Sequence, residues 1–487
     1  MLNLIFAAWL VPITIIYVVY QRFFHPLAKI PGPFWASLTR LWLTKHSWDG
    51  DMHEALVSVH KKYGKLVRTG PNEVSIADLR VMKTIYGAGS KFRKSDWYSV
   101  VQGHRKFDLF GERNEKVHAS QRKLVSRPYA MEVLKDLEPY VDTAVEVFMR
   151  KMEALKGQTI DMGNWIALFA FDVIGEVTFS KSFGFMEAEQ DDGSFKAIHR
   201  ALENGSWMAQ IPSTFWIHDS LIPYVGNWCA INNRHVGVRD FAAKEVSSRK
   251  VRGTDRKDIL SKLFTIHDEK PGEFDQNGVI SMATSNIFAG TDTTASSTRA
   301  IVYYLLKNPQ YKERLVHEID ELRAQGKLSD PVSLAQADSM PYLQAVMYEA
   351  LRCTPAVGYV LPRVVPSEGL EVDGHFIPEG STVGMSAWVV HKDKGVYGED
   401  AEVFRPDRWL EGDPGDKKRF FFSFGGGARL CIGKNISWLE MSKLIPTLFM
   451  HYDLELADPA KEWTEKSFFL MIQKGLEVVV RPRATKV

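Results

Sequence analysis

The residues best suited to chemistry lie in the segment Phe424-Gly425-Gly426-Gly427-Ala428-Arg429-Leu430-Cys431-Ile432-Gly433. One cysteine sits in a glycine-dense loop, with Arg429 two residues before it. A helical stretch follows, through Ser437, Trp438, Leu439, Glu440, Met441 and Leu444. Glycines let the backbone approach a bulky planar partner and turn its N–H groups toward a sulfur. Those N–H groups, a helix N-terminus and a nearby cation all favour a thiolate. A thiolate held in this way is a soft metal ligand, and as the axial ligand of a haem it pushes electron density toward iron. Three other readings compete. A phosphate loop fails, because Ala428 stands where its first glycine belongs and Asn435 replaces its Ser/Thr. A zinc site lacks partner cysteines. A buried structural cysteine is the commonest fate of a lone Cys; it stays open, but it leaves the glycines and the arginine without a reason.

A second cluster is Ala289-Gly290-Thr291-Asp292-Thr293-Thr294, inside a long helical pattern. Gly290 costs ~1 kcal/mol relative to Ala in a helix interior, and the threonines are weak helix formers. A helix that accepts both needs room or a kink there. An acid beside an alcohol can relay protons to a bound ligand. The competing reading is a polar turn whose hydroxyls bond back to carbonyls. A third cluster pairs Glu349 with Arg352, one helical turn apart in Tyr348-Glu349-Ala350-Leu351-Arg352. On a surface such a pair contributes little. Arg408, in Phe404-Arg405-Pro406-Asp407-Arg408-Trp409, is a further cation that could join it and staple the loop preceding Cys431.

These groups need a frame. The chain has 487 residues, 45% hydrophobic and 25% charged, with a net charge of +2. That excludes a disordered, collagen-like or disulfide-scaffold protein, and nothing in the charge demands nucleic acid. Three scattered cysteines, Cys229, Cys353 and Cys431, form no disulfide framework and suit a reducing compartment. Leu137, Val141, Val145 and Met149 keep helical spacing. Val279 to Asn308 has no proline and ends at Pro309, so one helix should cross most of the domain. Strand-like runs are short: Leu66 to Val67, Glu73 to Ile76, Val383 to Met385 and Leu476 to Val480. The body, residues 35–487, reads as a single mostly α domain with small β-sheets, an α+β fold.

Residues 1–20 carry no charged side chain and are long enough to cross a hydrocarbon core. Gln21, Arg22, His25 and Lys29 follow, which places the body in the cytosol. A cleaved signal peptide would need a basic start and a small-residue cleavage site, and neither is present. The N-x-S matches at Asn204 and Asn435 then go unglycosylated. Residues 21–34 include Pro26, Pro31 and Pro33, a proline-rich hinge that should stop the helix.

In this order and at these distances, the three clusters resemble the cytochrome P-450 superfamily of haem-thiolate monooxygenases, from the anchor to about Arg481. Phe424, Gly427, Arg429, Cys431 and Gly433 fill every fixed position of its pattern F-x-x-G-x-R-x-C-x-G, and A-G-x-D-T-T, E-x-x-R and P-x-R-[FW] match too. The resemblance implies the cytochrome P-450 fold preceded by one N-terminal transmembrane helix. It implies haem b with Cys431 as the axial thiolate to iron, and Phe424 and Gly433 in the haem-binding loop. His118 (in place of the family's usual tryptophan), Arg122, Arg363 and Arg429 would meet the haem propionates. Asp292 and Thr293 would deliver protons, and Glu349, Arg352 and Arg408 would be a structural triad. The runs Phe92 to Tyr98, His25 to Pro33 and Val390 to Trp409 look like fungal microsomal members, closest to the pisatin demethylase-like group.

The implied reaction inserts one atom of O₂ into a lipophilic small molecule by hydroxylation, epoxidation or oxidative demethylation, and the implied setting is fungal secondary metabolite biosynthesis. The chain has no flavin or iron–sulfur signature, so electrons would come from NADPH–cytochrome P-450 reductase, with cytochrome b5 as a possible second donor. Lys123, Lys417, Lys418 and Lys434 could form the docking face. Substrate-facing segments would be Ser95 to Phe110, Ser206 to Tyr224, Met282 to Gly290, Pro355 to Leu361 and Ser467 to Leu470, rich in aromatic and aliphatic residues. Part of Ile211 to Tyr224 could instead dip into the membrane interface. The expected location is the endoplasmic reticulum membrane, single-pass, with the catalytic domain facing the cytosol. The alternatives are a haem-thiolate isomerase, dehydratase or peroxygenase that needs no reductase, a detoxifying oxygenase, or a non-catalytic haem binder.

Overall fold

The apolar N-terminal run folds as helix α1, Leu2–Val19, in a computed structural model that describes residues 2–227 and 237–483. Cys229 and the last four residues lie outside the described residues. The helix runs on past Val19 as one π turn, Tyr20–Phe24, and ends at His25, whose extended backbone suits a residue before proline. Arg68 caps that turn. Its buried guanidinium donates to the Gln21 carbonyl at 2.8 Å and to Gln21 Oε1 at 2.7 Å. Leu27 and Ile30 are buried in one apolar cluster with Leu66, Val74, Ile76 and Val383. Gly32 packs so closely that a Cβ would lie 2.3 Å from the Arg68 carbonyl oxygen. The segment read as a hinge is therefore fastened to the body.

The strands that receive this segment form a five-stranded sheet: β1 Leu66–Gly70, β2 Glu73–Ile76, β3 Arg93–Lys94, β4 Arg363–Val364 and β5 Thr382–Gly384. Their order is β1-β2-β5-β4-β3, with β2 and β5 parallel and the other pairs antiparallel. A hairpin, β6 Thr464–Phe468 and β7 Leu470–Lys474, stands apart from it. The run expected at residues 476–480 is a strand over Glu477–Pro482, in a separate three-stranded sheet.

Helices make up most of the rest. Those that position the site are α2 Trp97–Gln102, α3 Glu115–Val125, α4 Met131–Ala154, α5 Met162–Phe179, α6 Ser194–Met208, α7 Pro212–Val225, α8 Gln276–Lys307, α9 Pro341–Cys353 and α10 Lys434–His451. On α4, Leu137, Val141, Val145, Phe148 and Met152 are buried along one stripe. Helix α5 packs against both α4 and α8 and is buried on nearly every side, Asp172 and Glu176 included. Among the described residues it is the one helix long and apolar enough to cross a membrane, yet 94% of it is buried inside the protein. Helix α8 starts where the Asp275 side chain accepts the Gly278 N–H and ends before Pro309. Its 32 residues make it about 48 Å long, so it passes beneath the whole core.

Candidate active site

The loop from Phe424 to Gly433 delivers Cys431 to the start of α10. The Cys431 N–H donates to the Phe424 carbonyl at 2.9 Å and closes the loop. Gly427 has φ +56°, and a Cβ there would lie 2.0 Å from the Tyr86 carbonyl oxygen, so only glycine fits. The backbone N–H groups of Gly433 and Lys434 point at the Cys431 sulfur. Burial pushes the thiol up, and those two N–H groups and Arg122 act in the opposite direction. The side chain is accessible, and its open side faces an internal cavity of about 340 Å³. Phe424, Arg429, Gly433, Gly290 and Thr293 line the same cavity.

One end of the cavity is cationic. Lys94, Arg122 and Arg429 line it, with His118 among them as a neutral imidazole. Arg363 stands one layer back, opposite Lys94 in the β3–β4 pair, and donates to the Tyr98 hydroxyl and the Pro362 carbonyl, each at 3.0 Å. Arg429 is paired with Glu115 at 2.7 Å, but its Nη1 is buried with no partner. Burial, then Arg363 and Arg429, hold the Lys94 ammonium well below its ordinary range. Burial and the same cations push His118 down to about 3. Buried positive charge needs a counter-charge, and the carboxylate paired here is Glu115. The cluster is therefore suited to an anionic ligand entering from the cavity, and the two propionates of a haem whose iron meets Cys431 fit that demand.

Helix α8 forms the facing wall. It is unbroken at Gly290, where a Cβ would lie 2.5 Å from Ile174 Cδ1; the room that glycine makes is taken by α5. The Thr293 hydroxyl donates to the Ala289 carbonyl at 2.7 Å while its side chain faces the cavity. Asp292, one residue earlier, is turned about 100° round the helix. It lies outside the cavity lining, with one oxygen 3.4 Å from His199 Nε2 and the other buried without a partner. The acid and the alcohol thus face different sides of α8. Thr294 donates to the Ser437 hydroxyl at 3.1 Å and ties α8 to α10.

The third cluster assembles fully. Glu349 accepts Arg352 Nε and Arg408 Nε at 2.8 Å each, and the Trp409 indole and Arg405 backbone N–H groups also at 2.8 Å. Arg352 donates to the His391 carbonyl at 2.8 Å. His391 Nε2 accepts the Phe422 N–H at 2.8 Å, and the Ser423 hydroxyl donates to the Leu351 carbonyl at 2.8 Å. These bonds lead from α9 to the residues just before the cysteine loop.

Sequence reading missed three groups at this site. Lys94 was hidden among surface-like cations, although strand alternation turns it inward while Arg93 stays exposed. Glu115 looked like an ordinary first-turn acid of α3. Glu440 lines the cavity from α10, its carboxyl raised well above the ordinary range by burial and both oxygens without a partner.

Comparison with known proteins decides the family. A profile described as "Cytochrome P-450" matches residues 29–480. The chain is 41% identical to cytochrome P-450 monooxygenase hepC of Aspergillus oryzae, over 96% of this chain and 95% of that protein. It is 37% identical to cytochrome P-450 monooxygenase gsfF of Penicillium aethiopicum, over 96% and 95%. It is 35% identical to a pisatin demethylase of Fusarium vanettenii, over 97% and 93%. The chain belongs to the cytochrome P-450 family. Cytochromes P-450 carry haem iron on a cysteine thiolate, so the chain is a haem-thiolate oxygenase. The fungal grouping expected from its motifs holds in these relatives.

Proposed function

We propose that this chain is a membrane-anchored monooxygenase that inserts one atom of O₂ into a lipophilic small molecule in fungal secondary metabolism. The observation that carries the reading is the joint placement of Cys431, the cationic cluster and Thr293 on one cavity. Cys431 holds the iron, and the Gly433 and Lys434 N–H groups stabilise its thiolate. Lys94, His118, Arg122 and Arg429 orient the propionates, with Arg363 supporting them through Tyr98. Haem bound in this way supplies the oxygen activation. Thr293 Oγ1 faces the cavity with its own hydrogen donated to the Ala289 carbonyl, so it accepts protons there and hands them on. Asp292 collects protons on the His199 side of the same helix. The Glu349, Arg352 and Arg408 network fixes the approach to the cysteine loop.

Residues 1–20 serve as the anchor, 21–34 as the fastened connection and 35–487 as one catalytic domain. The exposed side chains of Ile13, Ile16 and Phe23 suit lipid contact. The setting is the endoplasmic reticulum membrane, with the body in the cytosol and NADPH–cytochrome P-450 reductase as the electron donor. The test is the reduced carbon monoxide difference spectrum of wild type and Cys431→Ala. A thiolate-type Soret band in wild type that is lost in the variant is expected. No such band in folded, haem-loaded wild type would remove the thiolate ligand and the mechanism with it.

A further inference from the structure

Behind the cysteine loop, a file of rings runs from the cavity to the surface. Phe424 lines the cavity. Trp438 of α10 stands behind it, with ring centroids 6.4 Å apart. Tyr348 of α9 follows at 4.8 Å from Trp438, and Trp409 stacks on Tyr348 at 5.0 Å. Trp409 and Trp438 are buried, whereas Tyr348 is half-buried. The exposed Lys418 holds its ammonium 4.8 Å above the Tyr348 ring, so this end of the file meets solvent. Packing at these spacings needs only apolar rings. Three of the four are instead Trp or Tyr, the aromatic side chains most readily oxidised by one electron.

Oxidising equivalents arise at a haem on Cys431 whenever peroxide reaches it without substrate. Electron tunnelling falls steeply with distance, so short hops between touching rings outrun one long jump. Trp438 Nε1 donates to the Gln344 side-chain carbonyl at 3.1 Å, a neutral amide that takes no proton. Trp438 therefore passes an electron and keeps its proton. The ammonium over Tyr348 disfavours positive charge on that ring, so Tyr348 gives up its phenolic proton to solvent together with its electron. Each tyrosyl radical regains a hydrogen atom from a thiol, and two thiyl radicals couple as a disulfide. Two such turns balance: one hydrogen peroxide and two thiols give two waters and one disulfide. The exposed Lys418, with Arg419 next to it in the chain, favours a thiol of negative charge.

We propose that Trp438 and Tyr348 form a radical relay that discharges unspent oxidising equivalents from the haem site to an anionic thiol at the surface. The inference rests on the haem-thiolate reading above. The test uses substrate-free ferric holoenzyme of wild type, Tyr348→Phe and Trp438→Phe. Both substitutions keep a ring in place, and each protein is first checked for its carbon monoxide band and melting temperature. Each is then mixed with hydrogen peroxide and frozen for electron paramagnetic resonance. Wild type should show a tyrosyl radical that glutathione quenches. Tyr348→Phe should lose that signal, and Trp438→Phe should show it several-fold weaker. Both variants should lose their haem absorbance several-fold faster under peroxide. A tyrosyl signal unchanged in Tyr348→Phe would put the radical on another ring, such as Tyr129 or Tyr359 of the cavity wall, and overturn the relay. No tyrosyl signal in wild type, or an undiminished one in Trp438→Phe, would overturn it too, while the carbon monoxide band kept the haem-thiolate reading. Absence of that band in wild type would overturn both.

Discussion

His391 accepts the Phe422 backbone N–H on Nε2 at 2.8 Å, while its Nδ1 lies 3.1 Å from the Arg352 carbonyl. Both bonds form only in the neutral ring with its proton on Nδ1. Burial, then Arg352, push His391 down to about 3. The folded pKa is thus below the unfolded value of about 6.5, and the unfolded chain binds the extra proton between those values. Stability is present above pH 6.5 and is lost as pH falls toward 3. His391→Gln should unfold at pH 5 with about one fewer proton taken up than wild type, read from urea midpoints between pH 5 and 7.

Glu349 neutralises two buried arginines at once. Glu349→Ala leaves both without it and should cost about 3–5 kcal/mol in urea unfolding. Haem retention should fall with it, since the network leads to the cysteine loop.

Lys94 is buried on the cavity wall where the propionates are proposed to lie. Lys94→Met should speed haem transfer to apomyoglobin by roughly tenfold, as expected for one lost charge-assisted hydrogen bond. An unchanged rate would remove Lys94 from the propionate set.

Thr293→Ala removes the cavity-facing hydroxyl while keeping α8 intact. Product formed per NADPH should fall several-fold and peroxide should rise, with NADPH consumption largely kept. Unchanged coupling would end the proton role assigned to this hydroxyl.

Much of this site was legible from residue types and spacing. The glycine loop around Cys431, the Thr293 position on α8 and the Glu349–Arg352 pair each follow from local pattern, because loop turns and helical periodicity are local properties; Arg408, 59 positions from Glu349, was placed with them by the family resemblance. What stayed hidden depends on the third dimension. Lys94 and Glu115 are ordinary charges until β3 and α3 meet the cysteine loop. The divergence of Asp292 from Thr293 depends on how α8 is rotated, which composition does not set. The anchored course of residues 21–34 depends on Arg68, 47 positions from Gln21.

That last bond has a mechanical meaning. A buried arginine gripping the end of α1 turns a tether into a bracket: the body inherits the tilt of its first helix. Wherever α1 is held, the mouth of the cavity has one bearing rather than a swing of bearings. Arg68 therefore acts on orientation from a place that touches no substrate.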